Sequence, residues 1–152
     1  MADKTKKTPV GAPEREWLAK ILRVSGQGPE PDDLVMLLPS LCMETHPGGA
    51  AIVEEGQKGT DLFFLYKGSA AVRKNRLLFG SKEVVKLKPG EFFGEVGFLV
   101  QAPRSASVVA QGEAKVLKVA CAEFQRLLEK HPAVSERLET TARERMQKLS
   151  ES

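Results

Sequence analysis

The stretch Gly90 to Val109 reads "GEFFGEVGFLVQAPRSASVV" and interrupts a regular series of short apolar runs. Within it Glu95 follows Gly94 and Arg104 follows Pro103. Every residue between Glu95 and Arg104 except Gln101 is apolar or small. Gly94 and Gly97 let the backbone come close to a bound group. "GEVGFLV" predicts one turn of helix, whose first N–H groups have no partner inside the helix and favour an anion. Arg104 returns from the far side of the loop with a planar fork of donors that matches a phosphate or a carboxylate. Ser105 adds a hydroxyl beside it. Together these residues form an anion cradle, and a phosphate is its natural occupant. Glu95 repels a phosphate, so it makes sense as the acceptor of a hydroxyl on the same ligand. An acid that reads a ribose beside a phosphate is the logic of dinucleotide sites. The expected ligand therefore carries a ribose and a phosphate close together, between dry walls supplied by Phe93, Phe98 and Leu99. Taken one at a time, Glu95 and Arg104 can equally pair with each other across a turn, and the glycines can serve the turn alone.

On either side lie runs of strand length: "AAIVEEG", "DLFFLYKG", "SAAVRK", "EVVKLKPG", "ASVVAQG" and "AKVLKVA". Most end at glycine or Pro-Gly, with the turn spacing of an all-β sandwich or barrel. Before them, "EREWLAKILRV" puts Trp17, Leu18, Ile21 and Leu22 on one helical face. "DDLVMLLPSL" predicts a second short helix starting near Asp32 or Asp33. After them, "CAEFQRLLEKH" is amphipathic, with Phe124, Leu127 and Leu128 inward. Pro132 then opens a last helix with a narrow stripe of Val134, Leu138, Ala142, Met146 and Leu149. The expected organisation is a flexible arm over 1–13 and one domain over 14–152. That domain has a helical segment (14–43), a β roll (44–120) and C-terminal helices (121–150). Helices and strands segregated in this way indicate the α+β class.

The totals narrow the function. No apolar run approaches the roughly 20 residues that span a bilayer, and the lysine-bearing start has no apolar stretch behind it, so a cytoplasmic location is expected. The net charge of +3 owes part of its excess to "KTKK", and no dense basic face argues for nucleic acid. Cys42 and Cys121 sit far apart in apolar segments and read as buried thiols. His46 and His131 are isolated, so neither a zinc site nor a Ser/His/Asp triad is present, and a cupin-type enzyme lacks its metal ligands. The cradle has a phosphate clamp but no base placed to activate water. The chain is expected not to be an enzyme and to need no cofactor.

The ordered string Phe93-Gly94-Glu95-Val96-Gly97-Phe98-Leu99, then Pro103-Arg104-Ser105-Ala106-Ser107-Val108, resembles the phosphate-binding cassette of cyclic nucleotide-binding domains. "EEGQKGTDLFFLYKGSAAV" is similar to the family's first hairpin, and the likeness runs through "VLKVACAEFQRLLEKHP", covering roughly residues 35 to 150. The resemblance implies an eight-stranded antiparallel, jelly-roll-like β roll with an N-terminal helical segment and two C-terminal helices, the last a lid. It implies that Glu95 accepts from the ribose 2′-hydroxyl. Arg104 would pair with the cyclic phosphate, beside Ser105, Ala106 and the amides of Gly94, Val96 and Gly97. Phe93 is the cassette's first residue. Val72 and Val84 fall where the family lines the purine, and Arg145 or Met146 is the candidate cap from the last helix. Ser105 matches gene regulators and channels rather than kinase regulatory subunits, which favour alanine there. A hydroxyl at that place can help hold a syn guanine, so cAMP and cGMP both stay open, with cAMP favoured.

The function expected is a cytoplasmic receptor whose last helix closes over the nucleotide. It would be read by a protein partner or fused effector, with no nucleic acid and no membrane, as a monomer or weak homodimer. The start "MADKTKK" points to a stand-alone receptor, the other reading being a piece cut from a longer protein. A silent roll that binds proteins instead of nucleotide is the alternative from a different class.

Overall fold

The computed structural model describes residues 5–76, 78, 80–94 and 103–151. The described strands are β1 (Lys6–Pro9), β2 (Cys42–His46), β3 (Ala51–Val53), β4 (Asp61–Arg76), β5 (Gly80–Leu87), β6 (Phe92–Phe93) and β7 (Ser107–Ala120). The helices are α1 (Ala12–Leu22), a 3-10 helix (Pro31–Leu37), α2 (Cys121–Glu129) and α3 (Pro132–Ser150). All pairings are antiparallel. The strands form one open sheet in the order β1-β2-β7-β4-β5, with β3 on β7 and β6 on β4. β4 and β7 pair almost end to end, from Asp61 with Ala120 to Arg73 with Ser107, and are the spine of the roll.

Seven strands are found among the described residues, and their boundaries differ from the sequence expectation in an instructive way. "DLFFLYKG" and "SAAVRK" are one strand, and so are "ASVVAQG" and "AKVLKVA". Gly68 (φ +88°) and Gly112 (φ +75°) lie within a register shift between the two strands, from Lys67 with Lys115 to Ser69 with Gln111, without ending either strand. The expected arm also needs correction. Lys6–Pro9 is not a free tail but an edge strand, paired from Lys6 with Thr45 to Pro9 with Cys42. Val10 then enters the core and α1 begins at Ala12. The second predicted helix is a 3-10 helix, entered through Glu30, whose N–H donates to the Asp33 carboxylate at 2.8 Å.

Period-two alternation divides the interior. Leu62 and Phe64 of β4, Leu117 and Val119 of β7, and Phe92 face the helices. There they pack with Leu18, Leu22, Leu34, Phe124, Leu127 and Leu138. Phe63, Leu65, Val116 and Phe93 face the inside of the roll, with Val72, Leu87, Val108 and Leu149. α3 is tied to α1 by Arg137, whose guanidinium donates to the carbonyls of Ile21 and Arg23, both at 3.1 Å. Those carbonyls lie at the C-terminal end of α1, where a cation complements the helix dipole.

Two buried polar residues, Glu44 and His46, stand on β2. Glu44 accepts from His46 Nε2 at 3.0 Å and lies 3.5 Å from Lys118 Nζ, which also reaches Asp61 at 3.6 Å. The hydrogen bond from His46, helped by Lys118 and Lys7, holds the Glu44 carboxyl below its ordinary value despite burial. Burial works against the Lys118 ammonium, yet Glu44 and Asp61 carry it above its usual range. The native pKa of Glu44 is depressed, so its stabilisation is fully present above about pH 4.5 and is lost as the pH falls through the lower native value. Thermal unfolding between pH 7 and pH 3 should show this. Glu44→Gln is expected to melt lower than the parent at pH 7 and to lose less on acidification below pH 4.5.

Candidate functional site

Arg104 is a buried cation of the roll, 6% exposed. Its main chain is locked to the loop before β4. The Arg104 N–H donates to the Gln57 carbonyl and the Gly56 N–H donates to the Arg104 carbonyl, both at 2.8 Å. Its guanidinium donates to the carbonyls of Gly94 at 2.9 Å and Asp61 at 3.1 Å, and its Cζ stands 5.8 Å from the centre of the Phe63 ring. Such a fork, pinned by backbone acceptors in an apolar surround, is aimed before any ligand arrives.

Two glycines make the room. Gly94 has φ +90°, and a Cβ there would come within 2.8 Å of both Arg104 Nη1 and the Asp61 carbonyl. A Cβ at Gly59 would overlap the Arg104 guanidinium itself, while its backbone conformation suits any residue. The overlap falls on the far end of a flexible side chain, so the fold can absorb it by displacing the fork. Gly59→Ala is therefore expected to melt within a few degrees of the parent. It should weaken binding of an anion at the fork about tenfold, a loss of about 1.4 kcal/mol readable by calorimetry.

The guanidinium borders a cavity of about 60 Å³ inside the roll. Val72 comes from β4, and Val84 and Val85 come from β5. Phe93 and Gly94 come from the end of β6, Ser105 and Ala106 from just before β7, and Arg145, Lys148 and Leu149 from α3. Of the expected site residues, Phe93, Gly94, Arg104, Ser105, Ala106, Val72, Val84 and Arg145 thus meet at one place. Met146 does not line the cavity; it is one residue, about 100° of helix, past Arg145. Glu95, Val96 and Gly97, with Phe98 and Leu99, lie outside the described residues. Arg145 donates to the Phe92 carbonyl and holds its Cζ 4.7 Å from the centre of the Phe92 ring.

Sequence reasoning missed Gly59, Asp61, Val85, Lys148 and Leu149 as parts of this place. Gly59 and Asp61 act through a gap and a carbonyl, which no side-chain pattern signals. Cys121 lies close enough for Arg104 to bear on its thiol. Burial pushes that thiol up to about 11, against the pull of Arg104, so it stays protonated at neutral pH and is no nucleophile. Both cysteines are free thiols, Cys121 buried and Cys42 half-buried. No described helix is long and apolar enough to cross a membrane.

A family model described as the cyclic nucleotide-binding domain matches residues 43–131. A cyclic nucleotide-gated potassium channel of Mesorhizobium japonicum is 36% identical over 115 residues, 76% of this chain and 30% of that protein. The cAMP-dependent protein kinase regulatory subunit of Neurospora crassa is 43% identical over 86 residues, 56% of this chain and 21% of that protein. The chain thus spans less than a third of the length of either relative. Among solved structures, the regulatory domain of Toxoplasma gondii PKA, crystallised with cAMP, has a TM-score of 0.70 at 28% identity, covering 88% of this chain and 49% of that one. The β-roll fold, the buried arginine at its cavity and these matches lead to one conclusion: the chain belongs to the cyclic nucleotide-binding domain family.

Proposed function

We propose that this chain is a regulatory receptor module for a cyclic purine mononucleotide, cAMP in the first place, and not an enzyme. The observation that carries the proposal is Arg104, a buried cation pinned by the carbonyls of Gly94 and Asp61 at the wall of an apolar cavity. In this reading the guanidinium clamps the cyclic phosphate, with the Ser105 hydroxyl beside it. Val72 and Val84 pack on the purine, an apolar plane they match in chemistry and place. Glu95 accepts from the ribose 2′-hydroxyl, and the amides of Val96 and Gly97 complete the phosphate cradle. Arg145 is the better candidate than Met146 for the cap over the base.

The signal would be movement of α3. Of the walls of the cavity, α3 is the one not woven into the sheet. Ligand entry would displace it, closure would follow, and ligand would shift the population toward the closed state. A partner protein or effector reads that shift, and a cytoplasmic setting suits a nucleotide messenger. Relatives named as a kinase regulatory subunit and a gated channel support a regulatory rather than a catalytic role. Competition of cAMP, cGMP and 5′-AMP against a fluorescent cAMP analogue tests the ligand class. The expected order is cAMP tighter than cGMP, with 5′-AMP far weaker. Equal displacement by 5′-AMP would remove the cyclic phosphate from the account.

A further inference from the structure

The cavity has two walls that come from different layers of the fold. The β4–β5 hairpin supplies Val72, Val84 and Val85, and the last turns of α3 supply Arg145, Lys148 and Leu149. One polar contact from the hairpin bridges them. Lys74 Nζ, on β4 two residues past Val72, donates to the Leu149 carbonyl at 3.1 Å. Leu149 is buried, its side chain packed with the inside of the roll. Its carbonyl is among the last four of α3, at the negative end of the helix dipole, where it also meets the N–H of the C-cap residue Glu151. An ammonium placed there both fills an acceptor and complements the dipole.

Lys74 is poorly placed to serve the hairpin itself. Its register partner on β5 is Lys82, so two ammonium groups face each other across the strand pair, which is unfavourable. One register step away, Arg73 stays on the hairpin, its guanidinium donating to the Ser81 hydroxyl at 2.9 Å and the Ser81 carbonyl at 3.1 Å. The Lys74 side chain leaves the hairpin and ends on α3.

We infer that Lys74 is the latch of α3, a positioning residue that holds the last turn of the helix across the cavity and sets how long a ligand stays beneath it. The ligand half of this inference rests on the nucleotide reading above; the latch itself does not. Opening the cavity from the α3 side breaks the Lys74 contact, so a bound ligand that leaves by this side leaves after that bond is lost. Association, which starts from the open state, does not require the bond.

The test compares the 152-residue chain with Lys74→Met, which keeps the stem and removes the donor, and Lys74→Arg, which restores a donor. The first measurement uses no ligand: amide hydrogen exchange along the chain. The latch predicts exchange at residues 146–151 faster by roughly 2- to 10-fold in Lys74→Met, as for losing one net hydrogen bond, with β7 and α2 unchanged and Lys74→Arg near the parent. Unchanged exchange in α3, or faster exchange everywhere including β7, overturns the latch. The second measurement follows a fluorescent cAMP analogue by stopped flow. Dissociation should quicken by the same roughly 2- to 10-fold with association within about twofold, and Lys74→Arg should restore it. Dissociation unchanged while α3 exchange rises overturns the claim that the latch sets residence time. Failure of the parent chain to bind any cyclic nucleotide overturns the nucleotide reading, and the exchange comparison then decides the latch alone.

Discussion

Arg104→Ala is expected to weaken cAMP binding by about 2–5 kcal/mol, the range for truncating one partner of a buried, hydrogen-bonded charge pair. At the low end that is roughly a thirtyfold rise in dissociation constant. The size follows from where the side chain sits. It is buried beside Phe63 and already aimed by the Gly94 and Asp61 carbonyls, so little ordering remains when a phosphate arrives. Without it the phosphate would enter an apolar cavity with its charge unmatched. Arg104→Lys keeps a point charge but loses the planar fork, and should fall between the parent and alanine. The alanine variant also leaves two carbonyls without this donor, so its melting temperature should drop. Gly59→Ala separates the two effects, because it displaces the fork while leaving the charge in place. Parent-like affinity in Arg104→Ala, measured by calorimetry on folded protein, would remove the clamp from the account.

Phe64→Ala is expected to destabilise the fold by about 3–5 kcal/mol without touching the cavity. Phe64 is 1% exposed, and its ring centre lies 5.5 Å from that of Phe124 on α2 and 6.3 Å from that of Phe92 on β6. It joins the sheet to the helices at the place where three elements meet. A loss of that size is a large part of the 5–15 kcal/mol that holds a typical domain. Urea unfolding with an unchanged slope would give the figure directly. A loss under about 1 kcal/mol would mean that the helices are not held by this cluster. The neighbouring Phe63 points the other way and stacks on Phe93 at 5.0 Å beside the cavity, so the two phenylalanines serve the two sides of one strand.

The parts of this chain legible in its sequence are those whose physics is local. Gly94, Arg104 and Ser105 lie in one short segment, and glycine spacing, a proline and a lone guanidinium announce a cradle. The amphipathic stripes of α2 and α3 fix the end of the chain for the same reason. What was not legible depends on partners far away. β1 is "KKTP", four exposed residues with no apolar face; only backbone pairing with Cys42–Thr45 makes it a strand. β2 hides its alternation because two of its buried residues, Glu44 and His46, are polar and satisfy each other two positions apart. Gly68 and Gly112 read as turns in the sequence, and only their place at the register shift between β4 and β7, where Lys67 pairs Lys115 and Ser69 pairs Gln111, shows that the strands continue. Arg104 depends on a carbonyl 43 residues earlier and on the missing side chain of Gly59. On α3, both Arg145 and Met146 were open because the phase of a helix against a cavity depends on packing, and the packing favours Arg145.

Titration calorimetry of the unmodified chain with cAMP tests the central claim most directly. The account predicts one site per chain with a dissociation constant in the micromolar range or tighter, about −8 kcal/mol or more favourable. Absence of heat, together with an unmoved melting temperature at millimolar cAMP and cGMP on demonstrably folded protein, would contradict it.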